Sequence, residues 1–177
     1  PDVNIQNLTF QNSGGINGDA GIVCSADTIT VSNCVFFRTK TGVIIKESSY
    51  TTISNCFFYG NGDGINALRA REGMILDNIF THNSFGMVIV DSQDFVIEFN
   101  DATVNGIGLY SENTTNLSIR HCALYNNNDN QGGIFLEKCH LISIVDSNIY
   151  HNGFGIKTEQ CTHVNISYCT ITHNTHA

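Results

Sequence analysis

Three glutamates, Glu112, Glu137 and Glu159, recur at sequence intervals of 25 and then 22, and two histidines, His151 and His173, share the interval of 22. A row of carboxylates could hold calcium through oxygen ligands. Two imidazoles are part of the ligand set that copper or zinc requires. His82 belongs to the same series three repeats earlier. Two aromatic pairs, Tyr110 with Phe135 and Tyr125 with Tyr150, keep the longer interval of the glutamate row. Flat rings arrayed on a surface can lie against sugar faces. None of this chemistry follows unless the fold brings residues at that spacing side by side.

The spacing is that of an internal repeat. An aliphatic position recurs at Val31, Ile53, Ile75, Ile97, Ile119, Ile144 and Ile166, with an interval of 22 at every step except one of 25. Apolar and polar residues alternate around it, as in Phe95-x-Ile97 and Leu117-x-Ile119, which is the period of a half-buried strand. A second inward position follows five places later, at Phe36, Phe58, Phe80, Leu124 and Ile149 among others. A third short run follows a recurring glycine, as in Gly42-Val43-Ile44-Ile45. Three short strands per repeat, with no apolar stripe of helical period, predict an all-β chain: a right-handed parallel β-helix solenoid of about 7.5 coils. The predicted inward set is Val31, Phe36, Ile53, Phe58, Ile75, Phe80, Ile97, Ile119, Leu124, Ile144, Ile149 and Ile166.

Polar positions share the register. Asn61, Asn83, Asn105, Asn127, Asn152 and Asn174 form one column, and Cys34, Cys56, Asn78, Asn100, Cys122, Ser147 and Cys169 another. Stacked coils lie roughly 4.7–4.9 Å apart, so side-chain amides can hydrogen-bond up the stack. The recurring glycine is expected to supply a turn conformation that a Cβ would oppose. Of the seven cysteines, none forms a CxxC pair, and those in adjacent coils (Cys34 with Cys56, Cys139 with Cys161) run side by side; buried free thiols are the expectation. Three added residues should bulge as a turn over Asn127-Asn128-Asp129-Asn130-Gln131-Gly132. A longer insertion near Ser13 to Ala20 should do the same in the first coil.

The net charge of −8 argues against a nucleic-acid phosphate surface, which needs clustered Lys and Arg. No apolar run approaches the ~18 residues of a membrane span. The chain reads as a single β-helix domain over residues 1–177, a segment of a longer protein or a unit that associates end to end, since bare coil ends invite strand pairing.

The segments Ile-Ser-Asn-Cys-x-Phe (53–58) and Asn-x-x-Gly-Ile (61–65, 152–156) resemble the repeats of the pectin-lyase-like superfamily. That group includes polysaccharide lyases, polygalacturonases, alginate epimerases, phage tailspikes and the periplasmic accessory proteins called NosD-like. The resemblance implies the fold over nearly the whole chain; activity depends on the site each member carries. Asn61-Gly62-Asp63-Gly64 resembles a polygalacturonase segment whose Asp is catalytic, which makes Asp63 a candidate. The paired Asp expected one coil later is replaced by Ser84-Phe85-Gly86-Met87, and inverting hydrolysis needs two carboxylates, so a turn role competes. The lyase pattern is approached at Asp91, with Arg69 one coil below, where a cross-coil ion pair would explain both residues.

Two readings compete for each surface row. The glutamates either bind a cation such as calcium or are neutralised by Lys138 and Lys157. The histidines are either part of a metal site or exposed turn residues. The rings Tyr110, Phe135, Tyr125 and Tyr150 either contact a glycan or stabilise the sheets. The sequence points to a non-catalytic β-helix module of an extracellular or cell-surface protein, serving in structure, assembly or carbohydrate binding. The alternative is a lyase, hydrolase or epimerase acting on an acidic polysaccharide.

Overall fold

The computed structural model describes residues 2–12, 20–128 and 132–176. Among them every regular element is a strand. The three runs of each repeat pair in parallel with the same runs of the next repeat, giving sheets of eight, eight and seven strands. The fifth repeat shows the unit: Gln93–Glu98, Asp101–Thr103 and Ile107–Glu112 lie in the first, second and third sheets. No sheet mixes strands from different positions of the repeat. This is a parallel β-helix, and among the described residues no helix is long and apolar enough to cross a membrane.

Register follows the predicted columns. Ile53 pairs with Val31 and Ile75, Ile97 with Ile75 and Ile119, and Ile144 with Ile119 and Ile166. Eleven of the twelve expected inward residues are buried. Ile166 is the exception at 43% exposure, because it lies in the last described coil, where no described neighbour covers it. Inside the tube, Phe10, Phe36, Phe58 and Phe80 stack with centroids 4.8–5.0 Å apart and planes within 10°. The coil spacing of a parallel sheet also spaces these rings, so one residue type repeats without leaving a void.

Two polar ladders close the corners. Asn61 Nδ2 donates to Asn83 Oδ1 at 3.0 Å, and Asn83, Asn105 and Asn127 continue the chain up to Asn152. Each of these amides also donates to a backbone carbonyl of the preceding coil, as from Asn83 Nδ2 to the Phe58 carbonyl at 3.1 Å. These buried amides are therefore paired, which avoids the ~1–3 kcal/mol penalty of an unsatisfied one. In the second ladder the thiols of Cys34, Cys56 and Cys122 donate to backbone carbonyls. All seven cysteines are free, and burial pushes the Cys24, Cys56 and Cys122 thiols up to about 11.

The recurring glycine has a different cause from the one expected. Gly42 and Gly64 are absent from the positive-φ glycines; a Cβ on Gly42 would overlap the Gly64 carbonyl oxygen and the Phe58 ring, and one on Gly64 the Gly86 carbonyl and Phe80. Close approach of coils excludes the side chain. The left-handed corners fall elsewhere, in columns such as Asn55, Asp77, Phe99 and His121, with φ between 52° and 55°. Asn and Asp tolerate that region, whereas Phe99 and the β-branched Val104 (φ 54°) are held there by the stack.

The added residues do not disturb the strands. Asn127 keeps its ladder place, Asn128 donates its amide to the Asn105 carbonyl at 3.1 Å, and the register resumes where Gly108 N–H donates to the Gly132 carbonyl at 2.9 Å. The extra length therefore falls between Asn128 and Gly132. Asp129 to Gln131, and Ser13 to Asp19 of the earlier insertion, lie outside the described residues.

Candidate functional site

The outward face of the third sheet brings the two aromatic and acidic series together. Tyr110, Phe135 and Lys157 are register partners in three successive coils, and Glu112, Glu137 and Glu159 form the row two places further along. Strand alternation explains the arrangement: Leu109 and Ser111 point inward, so Tyr110 and Glu112 share the outer face. Phe85 reaches the same face, with its ring 6.3 Å from Tyr110 and inclined at 57°. The Tyr110 and Phe135 rings are 5.4 Å apart and inclined at 40°.

The polar groups form a connected network. The Tyr110 hydroxyl lies 3.0 Å from Glu112 Oε2 and 3.4 Å from Glu137 Oε2. Lys138 Nζ lies 2.6 Å from Glu137 Oε1 and 3.3 Å from Glu112 Oε1. Lys157 Nζ pairs with Glu159 at 2.8 Å and sits 4.8 Å above the Phe135 ring, 5.7 Å from that of Phe154. The stacked carboxylates are thus neutralised in large part by lysines, and Phe135 is only 5% exposed. Tyr110 and Phe85 keep part of their rings open.

Protonation follows from these contacts. Burial, then hydrogen bonding to Glu112, raises the Tyr110 phenol above its ordinary range, so it stays a hydroxyl. The Lys138 ammonium holds the Glu137 carboxyl below the usual carboxylate range, and the two glutamates in turn raise Lys138. A general acid would need a carboxyl that keeps its proton near neutrality, and Glu137 is held in the opposite state. Chemically the row is a set of carboxylate acceptors beside partly open rings.

The other sequence candidates separate. Asp63 opens a third-sheet strand two coils below Tyr110 and accepts a hydrogen bond from Asn66 Nδ2 at 2.8 Å; burial raises its carboxyl, opposed by Asn66 and Lys40. Asp91 accepts from Asn113 Nδ2 at 2.8 Å. The ion pair expected between Arg69 and Asp91 does not form: Arg69 turns to Glu47 at 2.7 Å, its neighbour on the opposite side of the same corner column. Tyr125 and Tyr150 stack on the second sheet at 4.9 Å and 1°, so each ring covers a face of the other. His151 and His173 lie with centroids 5.1 Å apart. His82 packs instead on Tyr59 at 4.9 Å.

Sequence reasoning missed a second group of outward rings. Phe37 and Tyr59 stack at 5.4 Å on the second sheet, Phe57 lies 6.2 Å from Tyr59, and the Arg38 guanidinium covers Phe37 at 4.9 Å. Counting back from Tyr125 through Thr103 and Thr81 reaches Tyr59 and Phe37, so the repeat itself carried the signal. The position of Lys157 over Phe135 had no such signal, since it depends on rotamers.

Comparison with protein families matches residues 3–176 to the family described as periplasmic copper-binding protein (NosD). The chain belongs to the NosD family. No curated protein matches it. Among solved structures it is similar to DFA-IIIase from Arthrobacter chlorophenolicus A6, with TM-score 0.70 and 14% identity over 87% of this chain and 40% of that one. It is also similar to the A-module of the Azotobacter vinelandii mannuronan C-5 epimerase AlgE4, with TM-score 0.58 and 12% identity over 100% and 69%. A complex of XylC with xylose gives TM-score 0.65 and 13% identity over 77% and 22%. At these identities the likeness establishes the fold, and the chain spans under half of the XylC and DFA-IIIase chains.

The family's description names copper, whose soft or imidazole donors would be Cys, Met and His. Among the described residues no three His, Cys, Asp or Glu side chains gather around one point. The Cys56 and Cys122 thiols are raised and engaged with carbonyls, and the histidines meet in twos, His151 with His173 and His140 with His163. The described residues of this NosD-family chain do not fit a copper centre.

Proposed function

We propose that this chain is a non-catalytic β-helix module of an envelope or extracellular protein, and that it contacts glycan through the outward face of the third sheet. One observation carries the reading: the partly open rings of Phe85 and Tyr110, 6.3 Å apart, lie beside a row of carboxylates (Glu112, Glu137, Glu159) that crosses adjacent coils. Rings offer flat apolar area to the CH faces of a sugar, and carboxylates accept strong hydrogen bonds from its hydroxyls. The periplasmic description of the family and the sugar named with XylC support the same placement and ligand class. The test is a glycan array probed with the full protein and with its Tyr110→Ala variant. Retention of glycans by the first and not the second is the expected result; equal retention overturns the reading.

The enzyme alternative keeps one observation in its favour, the raised carboxyl of Asp63, a property general acids share. Incubation of the full protein with polygalacturonate, pectate or alginate, with and without calcium, should release no product. Turnover that disappears in Asp63→Asn or Asp91→Asn would replace the binding role with catalysis.

A further inference from the structure

We infer that the third-sheet face selects uncharged glycans and discriminates against uronate chains; this rests on the glycan-contact reading. The inference comes from matching donors to acceptors. Beside the rings three successive coils place three carboxylates, Glu112, Glu137 and Glu159, against two ammonium groups, Lys138 and Lys157. Both lysines are already committed: Lys138 spans Glu112 and Glu137, and Lys157 lies between Glu159 and the Phe135 ring. Among these described residues no free cation therefore remains to receive a ligand carboxylate. The Tyr110 hydroxyl is turned to the glutamates as well.

What the face offers outward is acceptor capacity. Each carboxylate has about four lone-pair sites, and the contacts above use only part of them. A ligand that fills them must bring hydroxyl donors without anions of its own. A neutral oligosaccharide has that chemistry, and its CH faces suit the open parts of Phe85 and Tyr110. A uronate oligomer laid along the solenoid axis would set one carboxylate per sugar near a fixed carboxylate, well inside the ~10 Å over which charges interact at moderate salt.

The experiment titrates the full protein with xylohexaose and with hexagalacturonate by calorimetry, each at low and high NaCl. Xylohexaose should bind at least about tenfold more tightly, a difference of ~1.4 kcal/mol. Salt should leave its affinity unchanged and should improve any residual binding of hexagalacturonate, as screening relieves repulsion. Tyr110→Ala should abolish the xylohexaose signal. The Glu112→Gln/Glu137→Gln/Glu159→Gln variant, its fold checked by circular dichroism, should narrow the preference. Equal or tighter binding of hexagalacturonate overturns the specificity and leaves glycan contact standing. Failure of both sugars to bind at millimolar concentration overturns glycan contact itself, and the inference with it. Xylohexaose binding that Tyr110→Ala leaves intact places the sugar elsewhere and also overturns the assignment.

Discussion

The outward rings of the second and third sheets arise from the same repeat and pack differently. On the second sheet Tyr125 and Tyr150 are parallel to within 1°, and Phe37 and Tyr59 to within 17°; each pair spends ring faces on itself. On the third sheet Phe85, Tyr110 and Phe135 are inclined by 57° and 40°, and carboxylates run alongside them. Identical spacing along a solenoid therefore does not imply identical packing. Rings that stack along the axis cover one another's faces, while among the tilted rings Phe135 is buried under Lys157 and Phe85 and Tyr110 stay partly open.

The largest expected effect breaks the scaffold under both sheets. Gly64→Val would drive a side chain into the Gly86 carbonyl and the Phe80 ring. Backbone cannot yield as a side-chain tip does, so a loss of about 3 kcal/mol or more is expected, read as a large fall in denaturation midpoint. A wild-type midpoint would contradict the packing described for the recurring glycine.

A paired substitution sharpens the comparison itself. Tyr150→Ala should lower stability by about 1 kcal/mol through loss of the stacked pair, a shift of roughly 2–4 °C in Tm for a chain of this size, and leave glycan affinity unchanged. Tyr110→Ala should reverse the pattern, with affinity lost and a smaller change in Tm. Both variants behaving alike would erase the distinction between the sheets.

The smallest effect concerns the exposed pair of Lys138 and Glu137. The folded carboxyl of Glu137 is held below its ordinary value, so its contribution is present above the ordinary carboxylate range and disappears as pH falls through the folded value. Lys138→Met should flatten that acid limb slightly in melting curves taken from neutral pH to pH ~3. Because the pair is exposed to solvent, the change should sit near the detection limit and vanish in high salt. A large salt-resistant change would mean that the network bears more of the fold than its exposure suggests.

The tube was legible from the sequence because a single period acts on every coil at once: a column such as Ile53-Ile75-Ile97 or Asn83-Asn105-Asn127 repeats one environment and one residue type. What could not be read depends on direction and rotamer. Arg69 has Glu47 below and Asp91 above in the same column, and nothing in the spacing chooses between them; the structure pairs it with Glu47. The acidic row and the rings could be aligned from spacing, yet the lysine that covers Phe135 and the tilt that leaves Tyr110 open could not. The reason for the recurring glycine was also hidden, since a tight turn and a close approach of backbone leave the same residue in the sequence.

The most direct test of glycan contact on the third sheet is a titration of the isotopically labelled protein with xylohexaose, followed by backbone amide chemical shifts. The account predicts perturbations centred on Phe85, Tyr110, Glu112, Phe135 and Glu137, with Tyr125 and Tyr150 unmoved. Shifts confined to the second sheet around Tyr125 and Tyr150, or none at saturating sugar, would contradict it.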